Sequence, residues 1–420
     1  MLKNIIYFLS VASLFGLFNR TPFESFQNII LLIVSMDGLY LFIFKRNKYI
    51  IKECQIILWG AMFLVILSTI RAYLIQGQDL VSGVIAQGNI FQSFVGVSLF
   101  VRMKIYNGID FKQIERCLIW FIWINFIYYL LANLFIPEFT YSSYLTGANY
   151  NFLPSNITRS FIVLGFFYYF YGYLKTNKIQ SLLYCLLLFL ITNIIEFQRM
   201  QVLVICLTVF IYLAFFNDKR LILFMTLVIM FFVSITYVLY TIGVQIESLN
   251  FVIDYFGDAF RVFTNGESED YSALGRIRQF DFIYEDLVKN LVLGNGKLRP
   301  IFIDILYGED FYLHIGDLGI IGVIYTYGLI IIPFILYFIK LVLIKCFKPL
   351  QSILGGCLSI YMLHFVFFTI INGSFVWQMD IIVLSLLVWF QIYFFESFKF
   401  GSIFLNHNYS NQLVIKNNPI

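Results

Sequence analysis

The chain has 420 residues, of which 60% are hydrophobic and only 12% charged, with a formal net charge of +4 at pH 7. A soluble domain of this size carries about 25% charged residues, so the composition excludes an ordinary soluble enzyme, and the small net charge gives no basis for a nucleic-acid partner. The 50 Phe and 29 Tyr suit lipid-facing and interfacial positions.

A bilayer span takes roughly 20 apolar residues. In chain order, runs of this kind lie near 4–19, 27–44, 56–75, 83–101, 117–136, 158–174, 179–195, 202–216, 220–243, 312–340, 350–371 and 374–395. They predict an all-α polytopic membrane protein with about 12 transmembrane helices. The first run follows Lys3 and has no small-residue cleavage site, so it reads as a helix and not as a signal peptide. Lys and Arg set the orientation. Lys45, Arg46, Lys48 and Lys52 fall on one side, followed there by Arg102, Lys104, Lys112 and Arg116. Lys175, Lys178, Lys219, Arg220, Lys340, Lys345, Lys348 and Lys399 continue on the same side. The short connections opposite hold only Arg20, Arg71, Arg159 and Arg199.

The basic side is the cytoplasmic one, which puts both termini inside and residues 137–157 and 244–311 outside. The expected organisation is helices one to nine in 1–243, an external loop with amphipathic helices in 244–311, helices ten to twelve in 312–395, and a cytoplasmic tail in 396–420. Within the loop, Leu249, Val252, Ile253, Phe256, Ala259 and Phe260 recur at helical spacing. A polar break at 266–272 leads to a second helix, with Ser272 as its N-cap and Ile277, Phe280, Tyr284, Leu287 and Val288 as its apolar face. Gly294-Asn295-Gly296 then makes a tight turn.

Ionisable groups at membrane depth are costly and mark function by default. Arg199 sits between two very apolar helices with almost no loop. It reads either as an interfacial arginine or as an anion clamp, since guanidinium binds phosphate bidentately. Arg276 and Arg278 are two residues apart on a helix, so they point to opposite faces, and Arg276, one turn before Phe280, is favoured to look into a site. Glu309, Asp310, His314 and Asp317 cluster at the outer mouth of the tenth run. Asp310, His314 and Asp317 have the i, i+4, i+7 spacing of one helix face. The face offers a general base, or a polar stripe that satisfies neighbouring helices. Asp37 and Asp380 are acids inside apolar runs, and His364 stands alone on an apolar helix. The six cysteines lie in apolar runs or inner loops with no paired spacing, so neither a disulfide framework nor a metal site is expected. No Walker A loop, dinucleotide fingerprint, HExxH or GxSxG is present, which argues against a cofactor or ATP-driven enzyme.

Four segments in order resemble the O-antigen polymerase and O-antigen ligase superfamily of envelope glycosyltransferases. They are Gln198-Arg199, Gly275-Arg276 with an aromatic at Phe280 (usually Trp in the family), Gly294-Asn295-Gly296, and Leu318-Gly319-Ile320-Ile321-Gly322. Ligase-type members often carry His-Asn where this chain has Gly308-Glu309, a departure that favours a polymerase. The resemblance implies a GT-C-like fold in the bacterial inner membrane, a donor glycan on polyprenyl diphosphate, and no metal or other cofactor. It implies Arg199 and Arg276 as the diphosphate clamp and a base among Glu309, Asp310, His314 and Asp317. Arg278, Asp317, Gly294 and Gly296 would contribute to the substrate site, with Tyr144 and Tyr150 among the aromatics that stack on sugars. A chain-length regulator and the flippase of the same pathway are the expected companions. The alternatives are a ligase-type glycan transferase and a lipid-linked oligosaccharide flippase or other transporter, the latter suggested by Asp37 and Asp380.

Overall fold

The structure is a computed structural model that describes residue 10 and residues 24–106, 110–135, 141–142, 149–150, 155–196, 199–216, 271–299, 301–303, 315–348 and 350–396. The expected spans near 4–19 (Ser10 apart) and 220–243, and the amphipathic helix at 249–260, lie outside the described residues.

The described chain is almost entirely helical. In order it forms α1 (Glu24–Tyr49), α2 (Lys52–Gln76), α3 (Leu80–Ala86), α4 (Gly88–Phe91), α5 (Ser93–Tyr106), α6 (Phe111–Phe135), α7 (Ser155–Thr176), α8 (Ile179–Glu196), α9 (Arg199–Phe216) and α10 (Tyr271–Lys289). There follow α11 (Gly319–Tyr327), α12 (Ile332–Cys346), α13 (Ile353–Asn372), α14 (Ser374–Trp377) and α15 (Met379–Glu396). A two-residue antiparallel pair, β1 (Tyr141–Ser142) with β2 (Asn149–Tyr150), precedes α7. Among the described residues five segments are long and apolar enough to cross a membrane: Phe26–Phe44, Lys52–Gln76, Leu329–Cys346, Ile353–Ile371 and Met379–Glu396. A sixth is added if Leu80–Ala86 and Gly88–Lys104, bent by 67° at Gln87, form one span. The molecule is thus a helical membrane protein.

Helix ends follow local chemistry. Asp79 caps α3 by accepting from the Ser82 amide at 2.9 Å, and Ser352 caps α13 by accepting from Gly355 at 3.1 Å. Gly77 and Gly373 end α2 and α13 in the left-handed region, with φ of 69° and 68°. The central helix is α13, which packs against α7, α9, α11 and α12. Small residues let it approach closely: a Cβ on Gly356 would fall inside the Tyr171 ring, whose hydroxyl donates to the Leu350 carbonyl at 2.7 Å. The Trp389 indole donates to Ser359 Oγ at 2.8 Å and ties α15 to the same helix. Near the end of α12, Lys345 Nζ sits 4.6 Å from the Phe390 ring centroid and 4.9 Å from those of Tyr393 and Phe394, with Glu53 at 3.6 Å.

Two expected spans are broken. The run at 83–101 bends at Gln87. The run at 312–340 is not one helix but a 3-10 turn at Ile315–Leu318, then α11, then a second 3-10 turn at Leu329–Ile331 leading into α12. Gly328, with φ of 73°, makes the second break. The reason lies in the segment after α10, which enters the gap and forms the hydrogen bonds the helix gives up. Asn295 N donates to Tyr325 O at 2.8 Å, Gly296 N to Thr326 O at 2.9 Å, and Leu329 N to Leu291 O at 2.8 Å. The described part of the 244–311 loop is therefore built into the helical body, and α10 packs on α11 and the turn before it.

Candidate functional site

The interleaved segment 290–299 organises the polar groups of one end of the bundle. The two glycines are fixed by packing. Gly294 has φ of 71°, and a Cβ on it would fall 2.5 Å from Thr326 O; on Gly296, with φ of 85°, a Cβ would fall 2.4 Å from the Ala72 nitrogen. Only glycine tolerates both the conformation and the contact. Their place is in the wall of the site, pressed against protein backbone.

Around them runs a continuous hydrogen-bond network. Arg71, from the last turns of α2, donates through Nε to Gly294 O at 2.9 Å and through Nη2 to Asn290 Oδ1 at 2.7 Å. Asn290 Nδ2 donates to Asn295 Oδ1 at 2.7 Å. Lys297 N donates to Ser68 Oγ at 2.8 Å, and the same oxygen accepts from Gln87 Nε2 at 2.6 Å. Tyr327 OH donates to Gln87 Oε1 at 2.6 Å, which places the break between α3 and α4 directly on α11. Gln78 spans the chain like a strand partner: its Nε2 donates to Lys297 O at 3.1 Å and its Oε1 accepts from Arg299 N at 2.8 Å. Buried amides satisfied on both sides hold such a region in one arrangement.

The network carries cations. Lys297 is half-buried, with Nζ 5.0 Å from the Trp377 ring centroid. Burial pulls its ammonium down to a pKa of about 8, against the opposing pull of the Asp380 charge. Arg299 Nη1 lies 3.4 Å from Ser82 Oγ on α3. Asn89 Nδ2 donates to Trp377 O at 2.8 Å and closes the ring between the broken helix and α14. Asp79, exposed at the start of α3, is held below the ordinary carboxylate range by the Ser82 amide and hydroxyl. Among the described residues no group of three or more His, Cys, Asp or Glu side chains could hold a metal ion.

Comparison with protein-family models, curated proteins and solved structures gave no match.

The residues expected from the sequence are distributed as follows. Arg199 opens α9. Arg276 and Arg278 both lie on exposed positions of α10, so neither turns into the packed face. That face is set by Gln279 and Ile283, 4% and 1% exposed, with Leu287 of the expected face packed beside them, and not by Ile277, Tyr284 and Val288, which are 42%, 53% and 57% exposed. The helix starts at Tyr271, so Ser272 lies inside it and does not cap it. Asp317 falls in the 3-10 turn Ile315–Leu318, so the α-helical register that would align it with positions 310 and 314 does not run through it. Tyr150 lies in β2. Glu309, Asp310, His314 and Tyr144 lie outside the described residues. Gly294 and Gly296 are the two that the structure brings into the network.

Sequence reasoning passed over Gln78, Gln87, Lys297 and Arg299, and used Arg71 only for orientation. A signal existed for the last pair: Lys297 and Arg299 follow the Gly-x-Gly turn directly, at alternate positions around an apolar Leu298. Asp37, expected as an acid inside an apolar run, is paired with Arg102, whose Nε donates to Asp37 Oδ2 at 2.7 Å, and with Ser98. His364 is buried among Phe167, Tyr361 and Phe368 rings, and its Nδ1 has no partner among the described residues.

Proposed function

We propose that the protein is a polysaccharide polymerase that joins polyprenyl-diphosphate-linked oligosaccharide repeat units at the outer face of the cytoplasmic membrane. The observation that carries this reading is the crowding of cations and fixed amides around 290–299 at one end of an apolar bundle, the end opposite the basic loops. A transferase that releases a lipid diphosphate needs preorganised positive charge where the leaving group develops its negative charge. An apolar bundle with a polar rim also suits a substrate with a long hydrocarbon tail and a hydrophilic glycan.

In this mechanism the twelve-span, GT-C-like bundle holds the polyprenyl tails. Arg276, exposed on α10 and without an acid partner among the described residues, meets the donor diphosphate together with Arg199 at the start of α9. The acceptor is the terminal sugar hydroxyl of a second lipid-linked unit. A base among Glu309, Asp310 and His314 takes its proton as the hydroxyl oxygen bonds to the anomeric carbon. The bond from that carbon to the diphosphate oxygen breaks, and polyprenyl diphosphate leaves with the electron pair. Direct displacement inverts the anomeric centre.

The test is made in cells that depend on the protein for polymer. Arg199→Ala and Arg276→Ala should each abolish long chains at normal protein level. Long chains from both variants would remove the clamp from the mechanism.

A further inference from the structure

We propose that Lys297 and Arg299 together form a binding site for the phosphate end of an amphiphilic lipid, seated where the broken helix α3–α4 meets Trp377. The backbone geometry aims the two cations the same way. Gln78 bonds both Lys297 O and Arg299 N, at 3.1 and 2.8 Å, which fixes this stretch as a strand would be fixed. Alternate residues of such a stretch share a face. Leu298 between them is 5% exposed and packs with Ala72, Ile283 and Ile303 in a small separate core, so Lys297 and Arg299 point away from that core.

Both cations have donors to spare. Lys297 Nζ has no acceptor within hydrogen-bond distance among the described residues and rests on the Trp377 ring. Among the described residues the Arg299 guanidinium makes one hydrogen-bond contact, the 3.4 Å approach to Ser82 Oγ. Asp380, buried near the start of α15, is the acid whose charge acts on Lys297. Asp79, the other acid beside this stretch, is engaged by the Ser82 amide at 2.9 Å as the cap of α3, which leaves the Lys297 and Arg299 donors open to an anionic ligand. Ammonium and guanidinium donors at such a spacing fit the oxygens of a phosphate or diphosphate. The tail has a place as well. Helix α3 turns Ser82 inward at 8% exposure and leaves Val81 and Ile85 on its outer side at 70% and 54%, an apolar wall beside the charges.

The identity of the lipid as polyprenyl diphosphate rests on the polymerase reading above; the site itself does not. The test uses the purified full chain in detergent and measures binding of polyprenyl diphosphate, inorganic pyrophosphate and phosphatidylglycerol. Lys297→Met/Arg299→Met should weaken polyprenyl diphosphate binding about tenfold or more. Lys289→Met, at an exposed residue paired with Glu285 at 3.4 Å, should leave it unchanged. Lys297→Arg, which keeps the charge, should retain most of the affinity and guards against a Met variant that fails to fold. Pyrophosphate competing with the lipid supports a diphosphate site. Phosphatidylglycerol binding equally well while pyrophosphate does not compete makes it an ordinary lipid contact and overturns the assignment. Unchanged affinity in the folded double variant overturns the site, whatever the cellular glycan phenotype. Loss of binding in a protein that proves not to be a polymerase leaves the site standing and removes only the reading of its purpose.

Discussion

Gly296 lies backbone to backbone against Ala72: a Cβ on it would fall 2.4 Å from the Ala72 amide nitrogen and 2.5 Å from the Ser68 carbonyl oxygen. This contact wedges the segment after α10 between α2 and α11, where Arg71, Ser68 and the Tyr325 and Thr326 carbonyls bond to it. Gly296→Ala adds left-handed strain, about 1–3 kcal/mol, to an overpacking cost of about 1–3 kcal/mol. A marked fall in thermal stability in detergent is expected. Gly275→Ala, at a helical glycine with open space around it, should be neutral or slightly stabilising. Equal melting temperatures for the two variants would show that the wedge is not built as described.

The pair of Asp37 and Arg102 joins α1 to α5 inside the bundle, with Ser98 as a third member. Arg102→Met leaves the carboxylate without its cation in an apolar setting and should cost about 2–3 kcal/mol, less than a fully buried pair because both side chains keep some exposure. Asp37→Asn combined with Arg102→Met should recover part of the loss. Thermal unfolding of the single and double variants measures the coupling; strictly additive losses would mean that the two groups do not act as a pair.

Lys297 links stability to pH. Its folded pKa, about 8, lies below its ordinary 10.5. Below pH 8 both states hold the proton. Between about 8 and 10.5 the unfolded chain holds more protons than the folded one, so this residue's contribution to stability rises with pH through that window. Lys297→Met removes the effect. The variant should be more stable than wild type at pH 7 by as much as about 3 kcal/mol. The advantage should shrink as the pH approaches 10.5. A pH-independent difference between the two proteins would show that the ammonium is not desolvated.

Much of the helical layout was legible in the sequence because the bilayer imposes it: α1, α2, α13 and α15 fall where apolar length placed them. The broken spans were not legible. Gln87 and Gly328 interrupt runs that read as single spans by length and overall apolar content, and at Gly328 the cause is a remote segment that supplies the missing hydrogen bonds, which no local pattern reports. The inner face of α10 was misplaced for a related reason. Ile277, Tyr284 and Val288 form a good amphipathic stripe, yet Gln279 and Ile283 are the buried positions and of that expected face Leu287 packs beside them, since a helix near a membrane can leave apolar side chains exposed to lipid. Gly294 and Gly296 were legible as a motif, but their physical role is close packing. Lys297 and Arg299 gained meaning only once Gln78 and Leu298 showed which way they point.

The measurement that tests the central claim most directly is the lipid-linked glycan profile of cells lacking this protein. The account predicts accumulation of single repeat units on the lipid carrier at the outer leaflet, restored to a ladder of long chains by the wild-type gene. Repeat units trapped on the inner leaflet, or polymer of normal length left on the carrier, would contradict it, pointing to a flippase in the first case and to a ligase in the second.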